Sequence, residues 1–398
     1  MTERRGVPRR HFVLGAAGAG ILVAGAEPTI AGAATEGGAE GLPDYVAWKK
    51  PDAFIQHSPQ TLETERGEIG AEVVTPSRVL YVRNNLPSLT DEQVGEPDAW
   101  TLSVEGVASP GEVTVGELKG MDVETVCAVL QCSGNGRAFF EHETSGSQWS
   151  VGAAGNVLWT GVPVTRVVEA MGGPASGAAW ITGTGGEPIP EGLDPKLVQV
   201  ERSVPIAAME NALLAWAMNG EPLANAHGAP LRLVLPGYFG VNHVKHLKRL
   251  ALTEAESEAK IQQSGYRVRP VGEGGTPSQP SMFEMPVKSW VTHPLRETSG
   301  GRVLVYGVAM GGTEPLARVE VSTDGGASWS NARFVGPDMG PYAWRPFVLA
   351  AELGSGTHTL ASRATTVSGE TQPEAFPPNH RGYGHNGWAD HAVDVEIG

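Results

Sequence analysis

The run VCAVLQCSGNGRAFF, residues 126–140, contains both cysteines of the 398-residue chain. Cys127 lies in an apolar stretch typical of a buried strand, whereas Cys132 opens a polar loop with two glycines that ends at Arg137. A disulfide between them would close a very short loop and add little stability, and strand positions five apart face opposite sides. We therefore predict that Cys127 is a core residue. For Cys132 a structural thiol, a nucleophile and a metal ligand all stay open, because a nearby arginine stabilises a thiolate.

The N-terminus is predicted to be an export signal. Arg9 and Arg10 precede a short apolar run rich in alanine and glycine, and small residues suited to a signal peptidase follow near positions 31–34. This pattern is typical of a twin-arginine signal over residues 1–33, with an ordinary export signal as the alternative. The run is too short and too rich in glycine for a membrane span. We expect a soluble, periplasmic mature protein that is exported already folded.

The composition predicts an acidic globular protein with two domains. The formal net charge of −15 argues against nucleic acid and anionic membranes as partners, so an anionic substrate would need a local basic pocket. Residues 34–280 combine short strands with two segments of helical spacing, VPVTRVVEAMGG and PIAAMENALLAWAMNG, and their first part, up to about residue 76, is predicted to wrap over the surface. Residues 281–398 contain only short, regularly spaced strands. The predicted fold class is α+β, followed by an all-β, immunoglobulin-like sandwich.

Several further motifs occur in an order and spacing that closely resemble one family. After LQCSGNGR come QWSVGAAGNVLWTGVPVTRVV, AWAMNGEPL, HGAPLRLVLPGYFGVNHVKHLKRL and QQSGYR. This series resembles the molybdenum domain of the sulfite oxidase family, and the downstream sandwich resembles that family's dimerisation domain. The exported form without other redox modules is most similar to bacterial periplasmic sulfite dehydrogenases. The resemblance extends over about residues 78–398 and implies a homodimer, no haem, and a molybdenum ion held by the dithiolene of molybdopterin.

The resemblance also implies a reaction and its residues. Sulfite would be oxidised to sulfate, with electrons leaving to an external c-type cytochrome. Arginines suit the substrate pocket, because a guanidinium matches two oxygens of an anion and keeps its charge. The residues at the family's catalytic and substrate positions are Cys132, which is the one protein ligand of the metal, Tyr266, Arg83, Arg137, Arg381 and Trp149. Those at the pterin and phosphate positions, besides Cys132, are Asn84, Asn85, His227, Arg232 and Lys245.

Three departures from the family pattern bear on the substrate more than on the cofactor. Gly136 stands where many members have a second arginine, Asn85 replaces a commoner histidine, and His246 replaces a tryptophan. The alternatives are therefore a sulfane-sulfur dehydrogenase subunit or a reductase of S-oxides or nitrate on the same fold. A third alternative, from another class, is a cofactor-free binding or assembly protein.

Electron exit and the C-terminal histidines complete the sequence predictions. The sequence has no CxxCH haem-attachment motif, and no cytochrome b5-like or flavin-like segment precedes the first domain, which indicates an external acceptor. The basic docking face usual in c-type cytochromes would suit this acidic chain. His380, His385 and His391 lack the spacing of a standard metal site and are predicted to lie in a solvated loop.

Overall fold

The computed structural model describes residues 41–398, so the predicted twin-arginine signal lies outside the described residues. Strands dominate this part of the chain, and its five α-helices are short: α1 (Arg66–Ile69), α2 (Asp91–Val94), α3 (Val115–Leu118), α4 (Val164–Ala170) and α5 (Pro195–Val198). Within residues 41–398 no helix has the length and apolar character needed to cross a membrane.

The first part of the structure contains thirteen strands in three sheets. In chain order they are β1 (Phe54–Ser58), β2 (Thr61–Thr64), β3 (Val82–Arg83), β4 (Thr101–Glu105), β5 (Gly111–Thr114), β6 (Glu124–Gln131), β7 (Ala154–Pro163), β8 (Trp180–Gly185), β9 (Glu201–Pro205), β10 (Leu213–Met218), β11 (Glu221–Pro222), β12 (Arg232–Val234) and β13 (Leu247–Thr253). The sheet orders are β1-β2-β3, then β11-β10-β7-β6 with β12 also paired to β10, and β5-β4-β13-β8-β9.

The second part is a sandwich of two four-stranded sheets. Its strands are β14 (Lys288–His293), β15 (Gly301–Met310), β16 (Leu316–Ser322), β17 (Ser330–Asn331), β18 (Arg333–Phe334), β19 (Arg345–Leu353), β20 (Gly356–Thr366) and β21 (Val393–Ile397). The sheets β14-β15-β19-β18 and β17-β16-β20-β21 share a core that includes Val305, Val319, Phe347 and Leu360, all fully buried. The predicted class, α+β followed by an all-β sandwich, is confirmed.

The strand before Cys132 is set by its pairing and burial. The antiparallel partner β7 pairs with β6 along its whole length, from Glu124 opposite Gly161 to Gln131 opposite Ala154. The side chains of β6 become buried toward its carboxyl end, as the apolar run Cys127 to Leu130 predicts. Cys132 therefore leaves the sheet at the point where the ladder ends.

One predicted helix is wrong. The spacing in PIAAMENALLAWAMNG favours a helix over residues 205–220, but the structure has a 3₁₀ segment, Ile206–Asn211, followed by strand β10. Strand β10 pairs with β7, β11 and β12, so it lies inside its sheet. A strand with neighbours on both sides reads as a continuous apolar run, which cannot be distinguished from a buried helix by its period. The other predicted helix is confirmed as α4.

The segment up to residue 76 does more than wrap over the surface. Every residue of β2 is buried, and the Glu63 carboxylate, which is 1% exposed, accepts the N–H of Ser150 at 2.8 Å and of Gly152 at 3.0 Å. Residues 41–398 form one compact unit, and a hydrophobic cluster that includes Tyr266, Trp290 and Tyr383 contains residues of both parts. The domain boundary at residue 280 stays a prediction.

Candidate active site

One cavity brings together most of the predicted site residues. It contains roughly 630 Å³ of space, part of it open to solvent. Eight of the residues singled out in the sequence lie on its wall: Arg83, Asn84, Asn85, Cys132, His227, Arg232, Lys245 and Tyr266. Arg137, Arg381 and Trp149 are not part of this wall. The wall also contains residues that the sequence motifs did not single out, among them Tyr81, Ser133, Glu187 and His243.

Backbone contacts fix the loop that presents Cys132. Its N–H donates to the carbonyl of Ala153 at 2.9 Å, and its carbonyl accepts the N–H of Asn135 at 3.0 Å. The Asn135 side chain donates to the Gln131 side chain at 3.0 Å and accepts the N–H of Ala153 at 3.1 Å. The loop then turns at Gly136, whose φ of +101° favours glycine. The Cys132 thiol thus lies on the cavity wall in a loop tied at both ends to β6 and β7.

The two cysteines have different surroundings. Both are free thiols. The Cys127 sulfur accepts a hydrogen bond from the Asn156 side-chain amide at 3.2 Å, and burial raises the pKa of the Cys127 thiol to about 11. A thiol held in its neutral form is a poor nucleophile and metal ligand, so Cys127 is a core residue, as predicted.

Positively charged side chains also lie on the cavity wall. The Lys245 ammonium donates to the side chain of Asn84 at 2.6 Å and to the carbonyls of Ala226 at 2.5 Å and Arg83 at 3.2 Å. Burial and then repulsion from Arg232 lower the pKa of Lys245 well below its usual value. These three acceptors are uncharged, so they do not cancel the positive charge of the ammonium group. The remaining positive charge favours an anionic ligand.

His227 reports the same electrostatic imbalance. The pKa of His227 lies well below its usual value. Burial is the largest cause, and repulsion from the charges of Lys49, Lys245 and Arg232 lowers this pKa further. Its carbonyl accepts a hydrogen bond from Arg232 at 2.9 Å. The imidazole is therefore neutral, and it can donate or accept at the cavity wall according to its tautomer.

Glu187 is a carboxyl of this wall that no sequence motif indicated. It is half-buried in the glycine-rich segment after β8, and burial raises its pKa to about 7, against the lowering effect of Lys245. A carboxyl that is partly protonated near neutral pH can donate as well as accept a hydrogen bond. The only local signal was the series of glycines before it, which is common in loops.

Five polar atoms of the wall are buried without a partner in the part of the chain that the structure describes. They are Arg83 Nη1, Ser133 Oγ, His227 Nε2, Arg232 Nε and His243 Nδ1. An unpaired buried donor costs about 1–3 kcal/mol, so such atoms are rare unless a ligand satisfies them. Their concentration around one cavity marks the positions where a polar ligand binds.

The three predicted residues outside the wall lie behind it. Arg137 is buried, and its guanidinium donates to the carbonyls of Arg381 and Ser147, each at 2.9 Å. Trp149 is 1% exposed and packs edge-on against Tyr81, with ring centroids 6.3 Å apart. Arg381, from the second part of the chain, thus contacts Arg137 through its backbone carbonyl. The roles of all three stay predictions.

The prediction of a solvated C-terminal histidine loop is wrong for two of its three residues. His385 and His391 are each 2% exposed and their rings lie within hydrogen-bond distance, 3.2 Å from Nδ1 to Nε2. The other nitrogen of His385 lies 3.0 Å from a carboxylate oxygen of Asp390. Both rings pack against Phe139, just after the Cys132 loop. The segment is buried because it crosses from the sandwich to that loop, which its sequence did not show.

The overlap with a known enzyme decides the family. The chain is 32% identical over 342 residues to the sulfite oxidase of Gallus gallus, and the match covers 79% of this chain and 72% of that protein. The chain belongs to the sulfite oxidase family. An oxidoreductase molybdopterin binding domain is matched at residues 89–261, and a Mo-co oxidoreductase dimerisation domain at residues 279–397. The predicted family and the order of its two domains are confirmed.

Two further members show the breadth of the similarity. Mitochondrial sulfite oxidase of Rattus norvegicus is 32% identical over 356 residues, which is 81% of this chain and 62% of that protein, so this chain spans less than two thirds of that relative's length. Among solved structures, the sulfane dehydrogenase SoxCD of Paracoccus pantotrophus matches with a TM-score of 0.71 and 25% identity, over 86% of this chain and 89% of that one. The chain is thus similar in sequence to sulfite oxidases and in fold to a sulfane dehydrogenase.

The residues of the cavity fit the cofactor that a molybdopterin-binding domain implies. A phosphate-bearing pterin would compensate the cations at Arg232 and Lys245 and would satisfy the unpaired atoms of Ser133 and His227. Cys132 offers a soft thiolate donor, which suits a metal ion already bound by sulfur. Within residues 41–398 no group of three or more His, Cys, Asp or Glu side chains could hold a metal ion. A single protein thiolate is therefore consistent with a metal whose other ligands belong to an organic cofactor.

Proposed function

We propose that this protein is a periplasmic sulfite dehydrogenase. When bound, the molybdenum–molybdopterin cofactor supplies two-electron oxygen-atom transfer, the chemistry that converts sulfite to sulfate. The observation that carries the proposal is the convergence on one cavity of a free thiol, Cys132, an arginine with an unpaired nitrogen, Arg83, and a tyrosine, Tyr266. A cofactor-free binding or assembly protein would not need these three groups together.

The arginines are proposed to bind the substrate. Burial lowers the pKa of Arg83, but the neighbouring Tyr266 and Cys132 raise it, and the net pKa lies above its usual value, so the guanidinium stays charged. Its unpaired Nη1 donates to a sulfite oxygen at the cavity wall. Arg137 and Arg381 add positive charge behind it, and Trp149 supports Tyr81 on the wall. A buried cation in low dielectric attracts a small anion into a chain whose net charge would otherwise repel it.

The second group of residues is proposed to hold the cofactor. Lys245, Arg232 and His227 bind its phosphate and pterin, with Asn84 orienting the Lys245 ammonium and Asn85 at the exposed rim. Cys132 is the one protein ligand of the metal. Tyr266, 8% exposed, presents its ring to the cavity directly after a π-helical turn, Ile261–Gly265.

Export, acceptor and assembly belong to the same proposal. The Arg9-Arg10 pair supports the twin-arginine route to the periplasm, where c-type cytochromes occur. The net charge of −15 favours a partner with a basic docking face, and a c-type cytochrome is a partner of this kind. The matched dimerisation domain supports a homodimer through the sandwich.

A second candidate function is oxidation of sulfane sulfur carried by a partner protein. It is favoured by the similarity to the structure of the sulfane dehydrogenase SoxCD and by Gly136, which leaves one positive charge fewer than many members carry. A bulkier substrate that is not a free dianion needs fewer arginines. Both candidates use the same cavity and differ in what enters it.

The deciding experiment combines metal analysis with two substrates. Purified exported protein should contain molybdenum at about one atom per chain and reduce cytochrome c or ferricyanide with sulfite. If it contains molybdenum but reacts only with a protein-bound persulfide, the second candidate replaces the first. Protein that folds, carries no molybdenum when isolated from cells that make the cofactor, and reacts with neither would contradict both. An Arg9→Lys, Arg10→Lys double variant should remain in the cytoplasm, while the unchanged chain reaches the periplasm.

A further inference from the structure

Tyr383 lies in the C-terminal segment that crosses to the Cys132 loop. It is 2% exposed, and the side chain of Asn379 binds its N–H and its carbonyl, each at 2.9 Å. The next residue, Gly384, donates its N–H to the carbonyl of Ser133 at 2.9 Å, immediately after Cys132. The chain thus ties Tyr383 by its backbone to the loop that carries the thiol.

The Tyr383 ring stacks on Tyr266. The two ring centroids are 5.2 Å apart with an angle of 8° between planes. The Tyr383 hydroxyl donates to the carbonyl of Gly265 at 3.3 Å, one residue before Tyr266. Burial raises the pKa of Tyr383, so this hydroxyl keeps its proton. The guanidinium carbon of Arg202 also lies 5.7 Å from the centroid of the Tyr266 ring. The Tyr266 ring is therefore contacted by both Tyr383 and Arg202.

Tyr383 also contacts both arginines that lie behind the cavity wall. The guanidinium carbon of Arg137 lies 5.4 Å from the Tyr383 ring centroid, and that of Arg381 lies 5.9 Å from it. Both distances are within the range of about 6 Å at which an aromatic face attracts a cation. Arg137 forms no ion pair within residues 41–398. An aromatic face holds a guanidinium without neutralising it, whereas a carboxylate would compete with an incoming anion.

We propose that Tyr383 is a positioning residue for the oxyanion site, because one buried ring stacks on Tyr266 and lies against both Arg137 and Arg381. It fixes the plane of the tyrosine that faces the substrate, holds the guanidinium of Arg137 in place without neutralising it, and packs against the guanidinium of Arg381. This inference rests on the proposed function, since it assigns Tyr383 to the binding of sulfite and sulfate. Tyr383 is not itself on the cavity wall, so it acts through its three neighbours.

The packing around Gly136 brings the segment that carries Tyr383 close to the thiol loop. A Cβ atom at Gly136 would lie 2.8 Å from the Cβ of His385, two residues after Tyr383. A longer side chain at position 136 would therefore displace the segment that carries Tyr383. Gly136 thus allows this segment to lie where Tyr383 contacts Tyr266 and Arg137.

The test measures sulfate binding to the cofactor-loaded protein by calorimetry, beside sulfite kinetics. Tyr383→Met keeps a long apolar side chain but removes the aromatic face, and we expect the sulfate Kd and the sulfite KM each to rise about tenfold, which corresponds to about 1.4 kcal/mol. Tyr383→Phe keeps the face and should stay within about twofold of the wild type. Tyr342→Met, at a half-buried tyrosine away from the cavity wall, is the control and should change neither value. Unchanged sulfate affinity in Tyr383→Met would overturn the inference.

Two further measurements keep the test decisive. If Tyr383→Met does not fold, phenylalanine and its 3,5-difluoro and 3,4,5-trifluoro forms at position 383 keep the shape while weakening the ring's attraction for cations. The sulfate Kd should then rise along this series, and a constant Kd would contradict the proposal. If the wild type itself neither binds sulfate nor oxidises sulfite, the proposed function is wrong. Crystal structures of the wild type and of Tyr383→Met would still test whether Tyr383 positions Tyr266. The Tyr266 ring should turn out of its plane in Tyr383→Met, and an unchanged ring would refute the positioning role.

Discussion

The residues of the site differ in how far the sequence predicted them. The family motifs are the thiol loop, the RNN triplet and the segments HGAPLRLV, HVKHLK and QQSGYR, and the eight residues that they supply lie on the wall of one cavity. Glu187 and Tyr383 belong to no such motif, because their importance comes from contacts across the fold. From the sequence, Tyr383 is a tyrosine in a glycine-rich loop and would be interpreted as an ordinary packing residue. Only the structure shows that it stacks on Tyr266.

We predict that Cys132→Ser folds normally and loses catalytic activity. Serine offers a harder oxygen donor, which a metal bound by sulfur ligands takes poorly. Sulfite turnover should fall at least about a hundredfold, since even changes next to a metal ligand cost 10–100-fold. Turnover with ferricyanide, molybdenum content and the thermal unfolding midpoint would be measured together. Cys127→Ser is the matched control, because that thiol lies in the core, and it should retain turnover. Equal activity in the two variants would show that Cys132 is not a ligand of the metal.

A second prediction concerns the buried Lys288. Burial lowers its pKa from 10.5 to about 7, and its ammonium donates to the carbonyls of Asn135 at 3.1 Å and His385 at 2.8 Å. Between pH 7 and 10.5 the unfolded chain binds this proton more readily than the folded chain, so stability rises with pH across that window. Lys288→Met should remove up to about 1.4 kcal/mol per pH unit of this slope.

The slope of Lys288→Met can be measured by denaturant unfolding at pH 7.5, 8.5 and 9.5. Lys260, which is half-buried, supplies the control Lys260→Met. The difference between wild type and Lys288→Met should change steadily with pH, while that for Lys260→Met stays constant. Parallel curves for all three proteins would show that Lys288 is charged in the folded state at neutral pH.

At the scale of helices and strands, the sequence pattern correctly predicted the elements that are determined by local interactions. The α4 helix and the strands β8 and β12 follow from their own periodicity and from the glycines and prolines around them. The segment 205–220 follows instead from pairing with three other strands, which no local pattern contains. Its leucines, alanines and methionine are good helix formers, and tertiary pairing overrides that preference.

The turn after Cys132 supplies a prediction at this scale. Gly136 has a φ of +101° and approaches His385, whereas Gly173 has a φ of +89° with no atom within 4 Å of an added Cβ. Gly173→Ala should cost about 1–2 kcal/mol from backbone strain alone. Gly136→Ala should cost about 1–3 kcal/mol more, because the methyl group also overpacks the loop. The unfolding midpoints of both variants measure this difference in stability. Equal losses of stability would show that the segment around His385 moves to make room for the methyl group.

For the whole molecule, the sequence predicted the order and class of the two parts but not how they share the site. The family match and the regular strands indicated an α+β part and a sandwich. The contacts of Tyr383, Lys288 and Gly384 with the first part join residues separated by more than a hundred positions in the sequence. Such contacts have no local pattern and require the three-dimensional packing.

The outer face of one sandwich sheet gives the last prediction. Leu304 is 40% exposed opposite Ala350, and Tyr306 lies opposite Val348 on the same face. If the homodimer forms through this face, Leu304→Glu places a charge in a desolvated contact and should yield a monomer at concentrations where the wild type is a dimer. Light scattering measures the mass of each. Val367→Glu changes a more exposed apolar residue, 63% exposed, in a turn and should leave the dimer intact. A dimeric Leu304→Glu protein would assign the interface elsewhere.

The crossing segment, residues 379–391, also bears on how the protein matures. Nearly all of the cavity wall is synthesised before this segment leaves the ribosome, so Tyr266 and the thiol loop at first lack the support of Tyr383 and Gly384. We therefore expect cofactor insertion to be fastest while the C-terminal residues are still undocked, and finished chains that closed without it to load slowly. Biogenesis and catalysis would then depend on the same thirteen residues, since the segment that completes the pocket also closes it.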